Sequence, residues 1–222
     1  MKRNFEVTEK KEVITNIFNK EDEKMVEHLL RKMLGLSETE NLPVGMRETP
    51  HRIAKYWTEV IAQGYLTDPV EHLGKVFDIE THEPTEDVGI YENGIVACKF
   101  KLYSTCEHHM AIFGTFREES WAYVLYIPKN KVVGLSKIPR MARGYAQRFQ
   151  IQEKLTQQIA DAIWNTLDPR GVMVVMKDLT HTCVVSRGVK AEGATTTTSC
   201  VRGDFATDPK SRAEALALIS KM

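Results

Sequence analysis

The chain has 222 residues, of which 42% are hydrophobic and 27% are charged, a composition typical of a globular protein with a buried core. Lysine plus arginine and aspartate plus glutamate each number 30, so the formal net charge is zero. This balance argues against a nucleic-acid binder or a basic membrane-surface protein, and any anion site must be a local cluster of charge. No apolar run is long enough to span a bilayer, and no secretory signal follows the basic N-terminus. The four scattered cysteines do not suggest a disulfide framework, so we expect a cytoplasmic protein.

Helical periodicity dominates the N-terminal part of the chain. Residues 5–36 carry two apolar stripes at helical spacing, and Gly35 marks the expected C-terminal end. Residues 49–63 form a second predicted helix. We therefore expect a helical arm over residues 1–66, able to pack on the main domain or on another subunit, and a catalytic domain over residues 67–222.

The remainder of the chain mixes strands with helices. In chain order the predicted elements are a strand near 75–79, a strand at 95–102, a hairpin at 111–127 that turns at 117–120, helices at 136–148 and 151–167, a strand from 172 towards 185, a strand at 194–201 and a helix at 209–220. Hairpin connections favour an antiparallel sheet with helices on one face, which is an α+β fold.

Two short fragments carry the residues of a metal site, Cys106-Glu107-His108-His109 and His181-Thr182-Cys183. Cys106 and His109 are separated by two residues, so both side chains can reach one ion, and Cys183 supplies a third ligand. Neighbouring side chains of an extended backbone point to opposite faces, so His108 is expected to face a different pocket. His181 is expected to share a strand face with Cys183. Three protein ligands leave a fourth position for water, as in catalytic zinc sites.

Several alternatives remain open for these residues. A structural zinc site would need a fourth protein ligand, for which Cys98 or Cys200 could be proposed. Cys106 and Cys183 could instead form a disulfide, or be buried thiols beside ordinary histidines. A nucleobase deaminase would carry the H-x-E and P-C-x-x-C motifs, and neither occurs in the sequence.

Cations recur beside the metal fragments. Ser136, Lys137 and Arg140 lie in the first turn of a predicted helix, where free N–H groups and the helix dipole attract phosphate. Arg187 follows closely after Cys183. Taken singly, each of these residues is more simply interpreted as a surface residue than as a phosphate ligand. The same holds for Arg52 and Lys55, two basic residues on the flank of the 49–63 helix.

Gln152 and Glu153 open the second predicted helix of this region. The helix dipole alone favours a carboxylate there. The functional alternative is a buried glutamate that accepts two N–H bonds from the edge of a guanine. Composition does not separate these two interpretations.

Six segments of the sequence resemble GTP cyclohydrolase I. In chain order they are Glu48–Lys55, Ser104–His109, Gly134–Lys137, Gln152–Ile159, His181–Cys183 with Arg187-Gly188, and Thr195–Ser199. They cover roughly residues 48–203. The resemblance implies a tunnelling fold: an antiparallel four-stranded sheet with two helices between strands 2 and 3, preceded by an N-terminal helical arm. It also implies a homodecamer with active sites at subunit interfaces.

The resemblance further implies the reaction and the residues that carry it. GTP and water would give 7,8-dihydroneopterin triphosphate and formate, the first step of tetrahydrofolate and pterin biosynthesis. Zn²⁺ would be held by Cys106, His109 and Cys183. The implied acid/base pair is His108 and His181. The implied guanine contacts are Glu153 and Gln152. The implied contacts to the triphosphate and ribose are Ser136, Lys137, Arg140, Arg187, Arg52 and Lys55. Ser136 and Glu153 are also implied to be catalytic residues.

The sequence departs from the family pattern at a few positions. Phe149 stands where the family usually has proline, Pro139 is unusual within its motif, and the region 112–125 is longer than usual. Two rival functions remain: a tunnelling-fold nitrile reductase with a cysteine nucleophile, which needs no zinc, and a nucleotide-binding structural zinc module that releases no formate.

Overall fold

A computed structural model describes residues 19–78 and 94–222 of the chain. The first of the two predicted apolar stripes, over residues 13–18, lies outside them. The chain forms two compact units, Met1–Leu66 and Thr67–Met222. Within the described residues, no helix is long and apolar enough to cross a membrane.

The described part of the first unit is helical. Its elements are helix α1 (Lys20–Leu34), helix α2 (Thr49–Tyr56), a π-helical turn that continues α2 (Trp57–Ile61), and 3-10 turns at Val44–Met46 and Gln63–Tyr65. A capping box begins α1, because Asn19 accepts the backbone N–H of Asp22 while the Asp22 carboxylate accepts that of Asn19. Gly35 ends α1 in the left-handed conformation at φ 69°, as the sequence predicts.

The second unit contains the sheet and the remaining helices. Its strands are β1 (Val76–Asp78), β2 (Val96–Phe100), β3 (Tyr103–Cys106), β4 (Ile112–Gly114), β5 (Trp121–Ile127), β6 (Lys131–Val133), β7 (Phe149–Gln150), β8 (Gly171–His181) and β9 (Thr196–Gly203). Its helices are α3 (Lys137–Ala146), α4 (Gln152–Leu167), α5 (Thr182–Val185), α6 (Asp204–Thr207) and α7 (Pro209–Lys221), with a 3-10 turn at Pro69–Leu73. The α+β class is therefore confirmed.

Strand β8 is the centre of a mixed, seven-stranded sheet. It pairs antiparallel with β5 on one side and β9 on the other, and its last residues pair with β4, where Phe113 lies opposite His181. Strand β2 pairs with β5, and β3 pairs antiparallel with β4 and parallel with β7. Strands β1 and β6 form a separate two-stranded ribbon.

The predicted hairpin at 111–127 is wrong. Strands β4 and β5 do not pair with each other, and both run antiparallel to β8. The Lys101 amine donates to the carbonyl oxygens of Arg117 and Ser120, both at 2.6 Å, and so holds the intervening residues as a local loop. The Ser120 hydroxyl donates to the carbonyl of Asp178 in β8 at 2.6 Å. The chain therefore resumes its original direction along β8 instead of reversing.

Helices cover both faces of the sheet, whereas the sequence predicted one face. Val124 and Val174 pack in the cluster that contains Ile159 of α4. Their neighbours Leu125 and Met173 face the other way and pack in the cluster that contains Phe205 of α6. This alternation is the period of two expected for strands buried on both sides.

Strand β8 contains one irregularity. Its register with β9 shifts between Met176 and Leu179, which is a β-bulge. Asp178 has φ 56° there, in the left-handed region that aspartate tolerates better than most residues. Its backbone N–H donates to the Thr197 hydroxyl at 3.0 Å. The bulge is therefore fixed from β9, and by Ser120 from the other side.

Candidate active site

Cys106 ends strand β3 and begins a tight turn. The N–H of Met110 donates to the Cys106 carbonyl at 2.9 Å, and the N–H of Cys106 donates to the Ala111 carbonyl at 2.8 Å. Met110 takes a φ of 52° so that the chain can return into β4. This turn brings Nδ1 of His109 within 3.7 Å of the Cys106 sulfur.

Cys183 reaches the same place from the end of β8. It lies in the single helical turn α5, so the expectation that Cys183 and His181 share a strand face is wrong. Strand pairing stops at His181, and the Thr182 hydroxyl donates to the Ile112 carbonyl at 2.7 Å, which anchors the start of the turn beside β4. The Ser186 N–H then donates to the Thr182 carbonyl and closes the turn.

Cys106, His109 and Cys183 form a group that could hold a metal ion. One ligand atom from each lies within 4.8 Å of the other two, and no other such group of His, Cys, Asp or Glu occurs in residues 19–78 and 94–222. Cys98 and Cys200 do not join it. All four cysteines are free thiols. Burial, and then the adjacent Cys106, raise the pKa of the Cys183 thiol, and a bound cation would oppose both effects.

His108 lies closer to this group than the alternation argument predicts. Residues 107–109 form a turn and are not extended, so their side chains do not alternate between two faces. Nδ1 of His108 is 3.9 Å from the Cys106 sulfur. Its Nε2 is 3.9 Å from the carboxylate of Glu107, which also lies 3.8 Å from the Lys154 amine.

Arg187 contacts the exposed side of the metal group. Its guanidinium lies 2.6 Å from Nε2 of His109. A guanidinium only donates hydrogen bonds, so Nε2 accepts and the hydrogen of a neutral His109 ring is on Nδ1. Ligation of a metal through Nδ1 requires the opposite tautomer.

His181 is held more firmly than the metal-group residues. Its Nε2 lies 2.7 Å from Oε1 of Gln152, the first residue of α4. Its ring stacks on the buried ring of Phe113, with centroids 4.6 Å apart and planes 3° from parallel. Burial lowers the pKa of His181, and the nearby carboxylate of Glu153 raises it in partial compensation.

Gln152 and Glu153 differ in exposure. Gln152 is 1% exposed, whereas Glu153 is exposed in this chain and is not the buried carboxylate of the functional interpretation. Glu153 lines a cleft of about 390 Å³ between α4 and β9, together with Thr156, Thr198 and Arg202.

The predicted anion-binding residues occupy two parts of the molecule. Ser136 and Lys137 open helix α3, where the Ser136 hydroxyl makes no capping bond, and Arg140 is exposed one turn later. Pro139 falls in that first turn, where proline is tolerated. Arg52 and Lys55 are exposed on α2 of the first unit, and the Lys55 amine lies 4.0 Å from the Glu59 carboxylate.

Sequence reasoning gave no role to Phe113, and it named Thr195–Ser199 only as a resembling segment, without a contact to Gln152. Phe113 meets His181 because β4 and β8 pair in one register, and Thr198 meets Gln152 because β9 runs beside α4. No local motif marks either contact. The run of four threonines at 195–198 was the available signal for a strand whose side chains form hydrogen bonds on one face.

Comparison with known proteins identifies close relatives. A family model described as GTP cyclohydrolase I matches residues 23–220. A protein named GTP cyclohydrolase 1 from Carboxydothermus hydrogenoformans is 44% identical over 199 residues, 89% of this chain and 95% of its own length. Its namesake from Desulforamulus reducens is 46% identical over 178 residues, 80% of this chain and 86% of the relative. That from Chlorobaculum tepidum is 45% identical over 176 residues, 79% and 71% of the two chains.

Proposed function

Because the chain belongs to the GTP cyclohydrolase I family, we propose that it converts GTP and water to 7,8-dihydroneopterin triphosphate and formate, the first step of tetrahydrofolate and pterin biosynthesis. The observation that carries this proposal is the convergence of Cys106, His109 and Cys183 on one point. A cytoplasmic location accords with it, since a reducing compartment keeps both cysteines as thiols.

The metal in this proposal is Zn²⁺. Two thiolates and one imidazole form a donor set that zinc favours. Bonds of about 2.3 Å to sulfur and 2.0 Å to nitrogen would separate the ligand atoms by roughly 3.5–3.8 Å in a tetrahedral site. The observed 3.7 Å between the Cys106 sulfur and Nδ1 of His109 agrees with that spacing. When bound, zinc would supply a water whose pKa is lowered to about 7.

The other two histidines of the two metal-site fragments, His108 and His181, serve as the proton-transfer groups of the proposed reaction. Opening the guanine imidazole ring requires a proton on the departing ring nitrogen, and an imidazole can deliver it near neutral pH. His181 is half-buried beside Gln152, and His108 is exposed beside Glu107. Glu153, at the first turn of α4, would accept two N–H bonds from the guanine edge in the α4–β9 cleft.

The triphosphate is assigned to the start of α3. The helix dipole, the Ser136 hydroxyl, which makes no capping bond, and the side chains of Lys137 and Arg140 favour an anion there. The backbone contributes less, because the N–H of Lys137 donates to the Gly134 carbonyl and Pro139 has none. Arg187 would join them, because the His109 tautomer that binds metal through Nδ1 presents N–H to the guanidinium and no longer accepts from it. Arg52 and Lys55 remain proposed contacts from the helical arm.

The finer architecture is also proposed. Segments β2 with β3 and β4 with β5 would be two interrupted strands, which with β8 and β9 give the four-stranded antiparallel sheet of a tunnelling fold. Residues 67–222 would be its catalytic domain, and residues 1–66 the helical arm. Strands β2 and β9 each pair on one side only among the described residues, so their free edges suit pairing between copies in a homodecamer.

The test is turnover by the purified protein. We expect formate and dihydroneopterin triphosphate to appear in equal amounts from GTP, to disappear after chelation, and to return when Zn²⁺ is added. Turnover that survives complete metal removal would contradict the metal assignment. Zinc and GTP binding without formate would instead identify a structural zinc module that binds nucleotide.

A further inference from the structure

The side-chain amide of Gln152 has a fixed orientation. Its Nε2 donates to the backbone carbonyl of Thr196 at 3.1 Å and to the hydroxyl of Thr198 at 3.0 Å. A carbonyl only accepts, so the nitrogen must be on that side and Oε1 must face the opposite way.

The two hydroxyls beside Gln152 complete a closed chain of hydrogen bonds. The Thr156 hydroxyl donates to the backbone carbonyl of Gln152 at 2.7 Å. This bond uses the single hydrogen of the hydroxyl. The Thr198 hydroxyl, 2.7 Å from the Thr156 hydroxyl, must therefore donate to it and accept from Gln152. Every donor in the chain is committed, and rotating the amide would break two bonds inside a buried site.

This orientation determines which nitrogen of His181 carries a hydrogen. Oε1 of Gln152 only accepts, and it lies 2.7 Å from Nε2 of His181, so Nε2 is the donor. A neutral imidazole then has its lone pair on Nδ1. The parallel ring of Phe113 fixes the plane of the imidazole.

We infer that Gln152 is a positioning residue that holds His181 in the Nε2–H tautomer, so that Nδ1 is the nitrogen that exchanges a proton with the substrate. The inference rests on the proposed function, because it gives His181 a proton-transfer role. It differs from a role of Gln152 in guanine recognition. Both amide hydrogens are already used within the chain, and one lone pair of Oε1 is the only capacity left.

The first test is the tautomer of His181 in the zinc-loaded protein without GTP. Long-range ¹H–¹⁵N NMR correlations distinguish the two ring nitrogens, and His181→Asn assigns the signals. We expect the Nε2–H pattern in the wild type and a mixture in Gln152→Met, which removes the amide at similar size. A wild-type Nδ1–H pattern overturns the inference whether or not Gln152→Met folds, and this readout does not depend on GTP turnover.

The second test separates positioning from substrate binding. In Gln152→Met we expect kcat to fall about 10- to 100-fold, with the KM for GTP and the zinc content close to wild type. The matched control is Gln158→Met, the same substitution on the same helix, which removes the acceptor of the Gln150 amide outside the cleft; it should keep both the tautomer and kcat. A raised KM with unchanged kcat in Gln152→Met would make Gln152 a substrate contact and overturn the inference. Absence of turnover in the wild type would instead refute the proposed function and leave the tautomer result standing.

Discussion

The two halves of the candidate site are built in different ways. His181 lies at a strand end against Gln152 at a helix start, and both are held by hydrogen bonds and ring stacking within the fold. His109 lies in an exposed turn. Its Nε2 contacts the guanidinium of Arg187, which is also exposed. The proposed proton-transfer half is therefore fixed by folding, whereas the proposed metal half brings its candidate ligands near one another and would leave the final arrangement to the ion.

This difference has an energetic basis. Buried hydrogen-bonded groups keep one orientation because each alternative leaves a donor or acceptor unsatisfied, at a cost of about 1–3 kcal/mol. Exposed groups lose little when they turn to water. Substitutions should therefore affect the two halves through different measurements: metal content for one, and turnover at constant metal content for the other.

The largest effect is expected from breaking the metal half. Cys183→Ala should abolish stoichiometric zinc binding and lower turnover by at least about 100-fold, because the metal contributes several kcal/mol to the reaction. Metal analysis and formate release measure the two losses. Cys98→Ala is the matched control, since Cys98 lies on strand β2 and is not a member of the group, and it should keep both properties. Full turnover in Cys183→Ala would remove this residue from the metal site.

The next effect distinguishes the adjacent histidines. His108→Ala should lose on the order of 10²–10⁴-fold in kcat while it retains zinc, because it removes a proton-transfer group and no ligand. His109→Ala should lose the metal as well. The Nδ1 atoms of both rings lie within 4 Å of the Cys106 sulfur, so metal analysis of the purified variants decides between them. Loss of zinc in His108→Ala would show that the two roles are reversed.

A smaller effect is expected in the fixed half. Phe113→Leu removes the ring that stacks on His181, and it should lower the free energy of unfolding by about 1 kcal/mol and reduce kcat several-fold at unchanged zinc content. Thermal unfolding and steady-state kinetics measure these changes. Phe205→Leu makes the same change in the cluster on the other face of the sheet and should affect stability alone. Equal losses of kcat in both variants would show that the stacking has no specific role.

The smallest effect is expected outside both halves. Asp208 caps α7 by accepting the N–H groups of Lys210 and Ser211, and the Ser211 bonds hold the pKa of its carboxyl below the usual value. Asp208→Ala should lower the melting temperature slightly at neutral pH, with zinc content and kcat unchanged. Because the pKa is depressed in the folded state, this stabilisation is present at neutral pH and lost as the pH falls through the folded pKa. The two proteins should therefore converge in acid, and a difference that grows on acidification would contradict the capping account.

The local parts of this structure could be predicted from the sequence. Apolar periodicity and helix-ending residues predicted α4 and α7 to within about two residues, a normal uncertainty for helix ends. The Cys106–His109 spacing predicted two members of the metal group, because a tight turn is determined by neighbouring residues. Thiol and imidazole chemistry then suggested Cys183 as the third.

The non-local parts could not be predicted in the same way. The loop at 117–120 resembles a hairpin turn, but Lys101 binds its carbonyls from another strand and the chain does not reverse. The helical turn that carries Cys183 depends on the end of pairing between β4 and β8. Contacts of Phe113 and Thr198 likewise follow from register, which is set by the whole sheet rather than by any one segment.

The bulge at Asp178 changes which residues of β8 face α4. Before it, the even-numbered Val172, Val174 and Met176 face the core beneath the helices, and after it the odd-numbered Leu179 does so. His181 shares the parity of Leu179 and therefore meets Gln152. One extra residue thus inverts odd and even for the remainder of the strand, so removing it would turn the imidazole towards the opposite side of the sheet. The position of the His181 side chain therefore depends on the number of residues in the strand as well as on their identity.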